Sequence, residues 1–155
     1  AANKWIGENK EAAAKLFGAT HFICAGPDVD TIAAVKEICP LGVDYAFECV
    51  GHPALIRQCI DVLDWGGSCV LLGVPKFGTE ASFVVQSLYN DKSILGCRYG
   101  AARPHHDIPL FVDLYKAGKL KLDELVSARF APEQVQDALD AMHGGALNRA
   151  VLDFV

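Results

Sequence analysis

Three apolar segments in the middle of the chain each end in a short turn that contains glycine. The turns are Phe47–Gly51, Leu72–Pro75 and Gly96–Gly100, and each follows a segment typical of a buried β-strand. The run Cys69–Leu72 is apolar at every position, which indicates a strand covered on both faces. In open α/β sheets, ligands bind just outside the carboxyl ends of such strands. The three turns therefore predict one wall of a ligand-binding crevice.

Helical and extended segments alternate along the chain at spacings that favour parallel β-α-β units. We therefore expect an α/β fold with a doubly wound, mostly parallel sheet. The first three predicted helices are Glu8–Phe17, a helix capped by Asp28 that carries Ile32, Val35 and Ile38 on one face, and a helix from Pro53 to about Asp64. The fourth begins at Asp107–Pro109 and has Leu110, Phe111, Leu114 and Tyr115 on its apolar side. The fifth begins at Ala131–Glu133, with Val135, Leu139 and Met142 facing inward. The predicted strands are Thr20–Ala25, Gly42–Phe47, Cys69–Leu72, Ser93–Leu95 and Ala150–Phe154, and Ser82–Tyr89 fits either a helix or a loop.

The composition fits one domain with a sizeable core and argues against several classes of partner. Of the 155 residues, 52% are hydrophobic and 21% are charged, and the formal net charge is -5. Lysine and arginine form no cluster, which makes nucleic acid and anionic membranes poor partners. No apolar run approaches the roughly 20 residues that span a bilayer, and no secretory signal is visible. The six cysteines form no C-x-x-C pair, so we expect buried, reduced thiols in a cytoplasmic protein and no metal site.

One motif that a dinucleotide site of this type requires is missing from the sequence. The glycines of a G-x-G-x-x-G turn, between the first strand and first helix, let the backbone approach the pyrophosphate. No such pattern occurs in the chain, which opens with Ala1-Ala2-Asn3-Lys4 shortly before a helix pattern. We therefore expect residues 1–155 to be part of a larger protein, with a sheet that lacks its first strand and Gly-rich turn.

Five short segments occur in a distinctive order along the chain: Gly18–Thr20, Gly42–Glu48, Leu71–Pro75, Gly118–Leu120 and Asn148–Leu152. Together they resemble the zinc-dependent alcohol dehydrogenases of the medium-chain dehydrogenase/reductase superfamily. The resemblance covers essentially the whole chain, but only the later part of the family's chain. It implies a partial, Rossmann-like NAD(P)-binding domain from the second strand onward, with the catalytic domain absent.

The resemblance also implies which residues contact a nicotinamide dinucleotide, either NAD or NADP. Gly73 has no Cβ at a point where a flat ring must come close. Arg149 can pair with a diphosphate through two hydrogen bonds, or else with a surface carboxylate near the last strand. Glu48 is expected to be structural rather than catalytic. The implied contacts are Cys49, Val50 and Gly51 at the adenine and its ribose, His52 beside the adenine, Leu72, Gly73 and Val74 at the nicotinamide, the backbone of Cys97, Arg98 and Tyr99 at its carboxamide, and Arg149 at the pyrophosphate.

The residue that separates NAD from NADP is expected near the start of the chain. NAD-dependent members of the family carry an acidic residue at the end of the second strand, where it binds the ribose hydroxyls. Counting back from Gly18 places Trp5 there, or Asn3 followed by Lys4 if the loop is longer. None of these is a carboxylate that would repel a 2′-phosphate. Both cofactors therefore stay open, with NADP slightly favoured.

These expectations describe the cofactor-binding portion of a zinc-type alcohol dehydrogenase. In the full enzyme, hydride passes between an alcohol carbon and the nicotinamide, and zinc held outside this chain polarises the alcohol oxygen. The isolated chain is expected to be inactive, and the full protein to form a homo-oligomer. Two alternatives stay open: a zinc-free quinone or enoyl reductase of the same superfamily, and a non-catalytic dimerisation module that pairs through the strand near Ser93–Gly96.

Overall fold

The computed structural model describes residues 10–145 and 147–154 of the chain, in two compact units. The central unit comprises Ala25–Ala102. The terminal unit comprises the described residues up to Cys24 together with those from Arg103 onward. Each unit contains its own parallel sheet. Within the described ranges, no helix combines the length and the apolar character needed to cross a membrane.

Helices and strands alternate along both units. In the central unit they are α2, β1, α3, β2 and β3, and in the terminal unit α1, α4, β4, α5 and β5. Their bounds are 10–16 for α1, Thr31–Ile38 for α2, Val43–Glu48 for β1, Pro53–Asp61 for α3, Leu63–Leu71 for β2, Ser93–Gly96 for β3, Pro104–Lys116 for α4, Val126–Phe130 for β4, Val135–His143 for α5 and Arg149–Leu152 for β5. Short 3-10 helices cover Val85–Asn90, Tyr99–Ala101, Asp123–Leu125 and Pro132–Gln134.

The sheet of the central unit is parallel throughout, in the order β1-β2-β3. Parallel neighbours need a crossover connection, and α3 supplies one between β1 and β2. The three strands confirm those predicted at Gly42–Phe47, Cys69–Leu72 and Ser93–Leu95. The ambiguous segment Ser82–Tyr89 overlaps the first of the 3-10 helices, Val85–Asn90. This arrangement is the mixed α/β, Rossmann-like architecture that the sequence predicts.

β2 is longer than predicted because a bulge carries it past two glycines. The sequence places the break between helix and strand at Gly66-Gly67, but β2 begins earlier, at Leu63, and runs through both glycines. The pairing of Val43 with Leu63 is followed by a register shift, so β2 carries residues that face no partner on β1. Gly66 has a φ of +69°, a left-handed conformation that glycine adopts at little cost. The glycine pair therefore bends the strand instead of ending the helix.

α2 begins at a different capping residue from the one predicted. The sequence assigns the cap to Asp28, whereas the side chain of Asp30 accepts a hydrogen bond from the Ala33 amide at 3.0 Å. Asp30 has the extended backbone of an N-cap, and its carboxylate satisfies an amide that has no partner inside the helix. Two aspartates in one loop made either assignment compatible with the sequence.

The segment Thr20–Ala25, predicted as a strand, has no regular secondary structure. Its apolar and β-branched residues favour an extended backbone, but a strand also needs a hydrogen-bonded neighbour. None of the strands in residues 10–145 and 147–154 pairs with this segment. The prediction was wrong because it was made from local residue types alone.

The core of the central unit is smaller than the composition suggests. Its buried side chains come from β1, β2 and the end of α3, and those of Ile60 and Cys69 are fully buried. Partly buried residues of α2, including Ile32 and Val35, pack against them. The complete set of buried core residues is Ala46, Ile60, Val62, Leu63 and Cys69. The stability of this unit therefore depends on very few side chains.

The terminal unit contains a second parallel pair, in which β4 and β5 are connected through α5. β5 confirms the predicted final strand, shifted slightly toward the N-terminus. β4 was not predicted, because its sequence alternates weakly apolar positions with Ser127 and Arg129. Such a short alternating pattern is hard to distinguish from a loop without its partner.

α4 begins at Pro104 rather than at Asp107. Proline suits the first helical position, where the N–H that it lacks would have no partner. The Asp107 carboxylate accepts the Arg103 amide at 2.6 Å across the first turn. This hydrogen bond, together with one from His106, holds the pKa of Asp107 below its usual value. Asp107 therefore stabilises the first turn from inside the helix.

The helices of the terminal unit bury less apolar surface than their patterns predict. In α5, Val135, Leu139 and Met142 are each more than two fifths exposed, and the buried residue is Ala138. In α4, Leu110, Phe111 and Tyr115 are also among the exposed large hydrophobic residues. The predicted inward faces of both helices are thus wrong for this structure, because these faces lack a covering layer among the described residues.

Candidate functional site

The carboxyl ends of the three central strands lie side by side. Glu48, the last residue of β1, pairs with Leu71 of β2, and Leu71 in turn pairs with Gly96 of β3. The turns that follow these strands therefore begin at one edge of the sheet, as the sequence predicts. They carry ten of the implied contact residues: Cys49, Val50, Gly51 and His52 after β1, Leu72, Gly73 and Val74 after β2, and Cys97, Arg98 and Tyr99 after β3.

The turns after β2 and β3 share one groove of about 570 Å³. Its walls are mostly apolar, and the charged residue among them is Arg98, whose guanidinium lies 5.8 Å from the centre of the Tyr99 ring. Tyr99 and Val74 are almost fully exposed at its mouth. The groove has room for a flat, partly apolar group. It is lined by Leu72, Gly73, Val74, Pro75, Cys97, Arg98 and Tyr99.

A second groove, of about 390 Å³, lies between the end of β1 and the helices α2 and α3. Its walls are almost entirely apolar, and they include Cys49 and Val50. Its polar lining residues are Thr31, Glu48 and Gln58. Two of the implied adenosine contacts therefore face a space separate from the groove after β2 and β3.

A buried carboxylate holds the turn after β1 in place. Glu48 is only 2% exposed, and its Oε1 accepts hydrogen bonds from the amides of Val50 and Gly51, both at 2.9 Å. Its Oε2 accepts from Gly51 as well, also at 2.9 Å. These contacts agree with the expected structural role of Glu48. The sequence did not reveal its partners, because they depend on how the turn folds back over the strand end.

His52 caps the helix that follows this turn. Its Nδ1 accepts the Ala54 amide at 3.2 Å, in the tautomer that leaves Nδ1 unprotonated. Pro53 occupies the first helical position, where proline is favoured. The ring is thereby oriented at the mouth of the turn.

The turns after β1 and β2 touch through glycines. A Cβ built on Gly73 would lie 2.0 Å from the Gly51 nitrogen and 2.6 Å from the Glu48 Oε2. A Cβ on Gly51, whose φ is +82°, would lie 2.6 Å from the Pro75 nitrogen. The sequence explained Gly73 by the approach of a flat ring. The structure adds a reason within the protein, since only glycine lets the two turns come this close.

Several backbone amides at the strand ends are already used inside the protein. Leu72 and Gly73 both donate to the Glu48 carbonyl at 2.8 Å, and Cys97 donates to the Leu71 carbonyl at 3.2 Å. These three N–H groups are therefore not free to bind a ligand. Any recognition of an amide by the turn after β3 must use other groups of its backbone.

Arg149 lies at the start of β5 in the terminal unit, with an exposed side chain. The sequence left open whether it pairs with a surface carboxylate near the last strand. The carboxylate of Asp153 is instead bound by Arg129 on β4, at 2.8 Å. Arg149 forms no ion pair with any residue in the described part of the chain.

No metal site can be assigned to the described residues. In residues 10–145 and 147–154, no three His, Cys, Asp or Glu side chains are grouped as metal ligands would be. These residues therefore do not fit a zinc ion. The positions predicted to separate NAD from NADP (Asn3, Lys4 and Trp5) lie outside the described residues.

The six cysteines are free thiols, but their burial differs from the prediction. Cys69 is buried, whereas Cys24 and Cys49 are exposed. Burial, followed by the proximity of Cys69 and Glu48, raises the pKa of Cys59 to about 11. The pKa of Cys69 is raised by burial too. Cys24 and Cys49 are therefore accessible to a reagent, whereas burial disfavours the thiolate of Cys59 and of Cys69.

We expect alkylation to separate the exposed thiols from that of Cys59. At pH 8, iodoacetamide should modify Cys24 and Cys49 at least about 100-fold faster than Cys59, because a thiol with a pKa near 11 is about one thousandth thiolate at that pH. The rate at Cys59 should rise about tenfold per pH unit up to about pH 11, since its neutral form persists to that point. Peptide mass mapping follows each site. In urea all six thiols should react alike, and equal rates at Cys49 and Cys59 in the folded protein would contradict the assignment.

Known proteins match this chain over most of its length. The family model described as zinc-binding dehydrogenase matches residues 6–117. Alcohol dehydrogenase class-3 of Myxine glutinosa is 34% identical over 90% of this chain, which corresponds to 38% of that protein. S-(hydroxymethyl)glutathione dehydrogenase of Aspergillus oryzae is 30% identical over 97% of this chain and 40% of its own length.

Solved structures agree with these relatives. Benzyl alcohol dehydrogenase from Acinetobacter calcoaceticus is 35% identical and superposes with a TM-score of 0.85, over 93% of this chain and 40% of that one. The chain thus spans about two fifths of the length of these relatives. The matched family model covers more than half of the chain, including all three strands of the central sheet and the turns that follow them. The chain belongs to the zinc-binding dehydrogenase family.

Proposed function

We propose that this chain is the nicotinamide-dinucleotide-binding portion of an alcohol dehydrogenase. The observation that carries the proposal is the alignment of three parallel strand ends, whose glycine-containing turns meet at one edge of the sheet. Dinucleotides bind at this kind of edge in open α/β sheets. Relatives named as alcohol and S-(hydroxymethyl)glutathione dehydrogenases support the same assignment.

In this proposal the two grooves divide the dinucleotide between them. The turn after β1 contacts the adenosine with Cys49, Val50 and Gly51, and His52 borders the adenine. The groove after β2 and β3 takes the nicotinamide, in agreement with its apolar walls and its volume. The carboxamide is bound by backbone groups of Cys97, Arg98 and Tyr99 other than the Cys97 amide, which is already used. The proposed nicotinamide contacts in the turn after β2 are Leu72, Gly73 and Val74.

The reaction proposed for the longer protein is hydride transfer between an alcohol and the nicotinamide. The residues of this chain would bind and orient the dinucleotide, and the alcohol would be recognised mainly outside residues 1–155. A homo-oligomer is supported by β3, which has an unpaired edge among the described strands and an exposed Leu95. A cytoplasmic location is supported by the six free cysteines.

Ligand-observed NMR tests the proposal on the 155-residue chain. Saturation transfer from protein to NADH or NADPH should appear at both adenine and nicotinamide protons. Addition of the oxidised dinucleotide should abolish this transfer by competing for the site. Running NADH and NADPH side by side also decides which cofactor is preferred. Flavin mononucleotide, which carries a different phosphorylated ring system, serves as the control and should show no saturation transfer. The absence of transfer to both dinucleotides at millimolar concentration would overturn the proposal.

Arg149→Gln should weaken dinucleotide binding about tenfold, because a charged hydrogen-bonding pair with phosphate is worth roughly 1.5 kcal/mol. Arg129→Gln is the matched control: it removes an arginine from the same sheet, but one that is already paired with Asp153. We expect the control to change affinity less than twofold. Dissociation constants from NMR titrations check both variants. An equal loss of affinity in the two would mean that Arg149 does not contact the dinucleotide.

A further inference from the structure

We infer that Glu48 is a positioning residue that fixes the adenosine-side turn against the nicotinamide-side turn. The inference deepens the proposed function and rests on it for what the two turns bind. Glu48 is the last residue of β1, at the carboxyl end of the sheet where both turns begin. It is also the buried charged residue of the described part of the chain.

The side chain of Glu48 acts on the turn after β1. A carboxylate buried this deeply is stable only when its oxygens accept hydrogen bonds. Both oxygens do so here, from the amides of Val50 and Gly51. The carboxylate therefore sets the direction of the backbone at residues that the proposal places against the adenosine.

The backbone of the same residue acts on the turn after β2. The Glu48 carbonyl accepts the amides of Leu72 and Gly73, both at 2.8 Å. The two amides belong to residues proposed to contact the nicotinamide. One residue thus holds one turn with its side chain and the other with its main chain.

The absence of a side chain at Gly73 completes the arrangement. A Cβ at this position would lie 2.6 Å from the Glu48 Oε2 and still closer to the Gly51 nitrogen. The carboxylate therefore occupies space that exists only because residue 73 is glycine. Both of its oxygens accept hydrogen bonds from the backbone of the turn, so Glu48 is assigned no proton transfer and acts through the turns it holds.

The test compares Glu48→Gln with Glu80→Gln, a control at an exposed carboxylate of the same unit. Glutamine keeps the shape of the side chain but replaces one acceptor oxygen with an NH₂ group that faces amide donors. In E48Q, amide hydrogen exchange at Val50 and Gly51 should accelerate at least about tenfold relative to exchange at the amides of β1. E80Q should leave these rates unchanged.

Ligand affinities separate positioning from a general loss of stability. In E48Q the dissociation constants of the dinucleotide and of 5′-AMP should both rise about tenfold, because both ligands contact the turn that the carboxylate holds. The dissociation constant of nicotinamide mononucleotide should rise less than threefold, because the main chain of residue 48 still holds the turn after β2. An equal rise for all three ligands, or amides at Val50 and Gly51 that exchange no faster in E48Q, would overturn the inference. If the unmodified chain binds no dinucleotide, the proposed function fails, and the exchange rates alone decide whether Glu48 fixes the turn.

Discussion

Gly73→Ala lowers the free energy of unfolding of the chain by about 3 kcal/mol, at the upper end of what an inserted methyl group costs in a closely packed site. The new Cβ would meet the Gly51 nitrogen at 2.0 Å and a Glu48 carboxylate oxygen at 2.6 Å. The first of these atoms belongs to the backbone, so no side-chain rotation relieves the contact. The turn after β1 must move away, and dinucleotide binding should be lost with it. Urea denaturation followed by circular dichroism measures the stability.

Gly26→Ala is the control for this substitution. A Cβ at Gly26 meets no atom within 4 Å, and its φ lies outside the left-handed range. The exchange should change the free energy of unfolding by less than about 0.5 kcal/mol, or raise it slightly by restricting the unfolded chain. If G73A and G26A unfold at the same urea concentration, the two turns do not approach each other as closely as described.

Ile60→Ala should lower the free energy of unfolding by a similar amount, because it leaves space empty where Gly73→Ala overfills it. Ile60 is fully buried at the centre of a core with only a few members, so its truncation leaves a cavity that the neighbours cannot fill. Such replacements cost about 2–5 kcal/mol. This loss is a large share of the total stability of a typical domain. We expect a lower urea midpoint with an unchanged slope, or no cooperative unfolding at all.

Leu41→Ala separates the effect of burial from that of hydrophobicity. Leu41 belongs to the same unit but is 80% exposed. Its truncation removes a comparable number of carbon atoms from solvent-facing surface, and should change the free energy of unfolding by less than about 0.5 kcal/mol. A comparable loss of stability in Ile60→Ala and Leu41→Ala would mean that the core extends over Leu41 in solution.

The parts of the fold that the sequence predicted are those specified by local pattern. Cys69–Leu72 is apolar at every position, and Pro53 marks a helix start, so β2 and α3 were both expected. β4 was missed because Ser127 and Arg129 interrupt its apolar positions. Thr20–Ala25 was assigned to a strand on residue type, although strands also require a partner.

The strand ends at the candidate site were predictable from the sequence, but the contacts between the turns that follow them were not. Strand ends marked by glycine can be located in a sequence, and all three lie where they were expected. The hydrogen bonds of Glu48 to Val50 and Gly51 arise only once the turn folds back over the strand end. Likewise, the close approach of Gly73 to Gly51 depends on the pairing of β1 with β2, which no local pattern encodes.

The contact between Glu48, Gly51 and Gly73 limits how sequences related to this one can diverge. A side chain at position 73 needs space that the Glu48 carboxylate and the Gly51 amide now occupy. Such a residue can therefore be accommodated only with a different turn after β1, because the Gly51 nitrogen belongs to the backbone. We expect the three positions to co-vary as a set among related sequences, while exposed positions nearby, such as Val74, change independently.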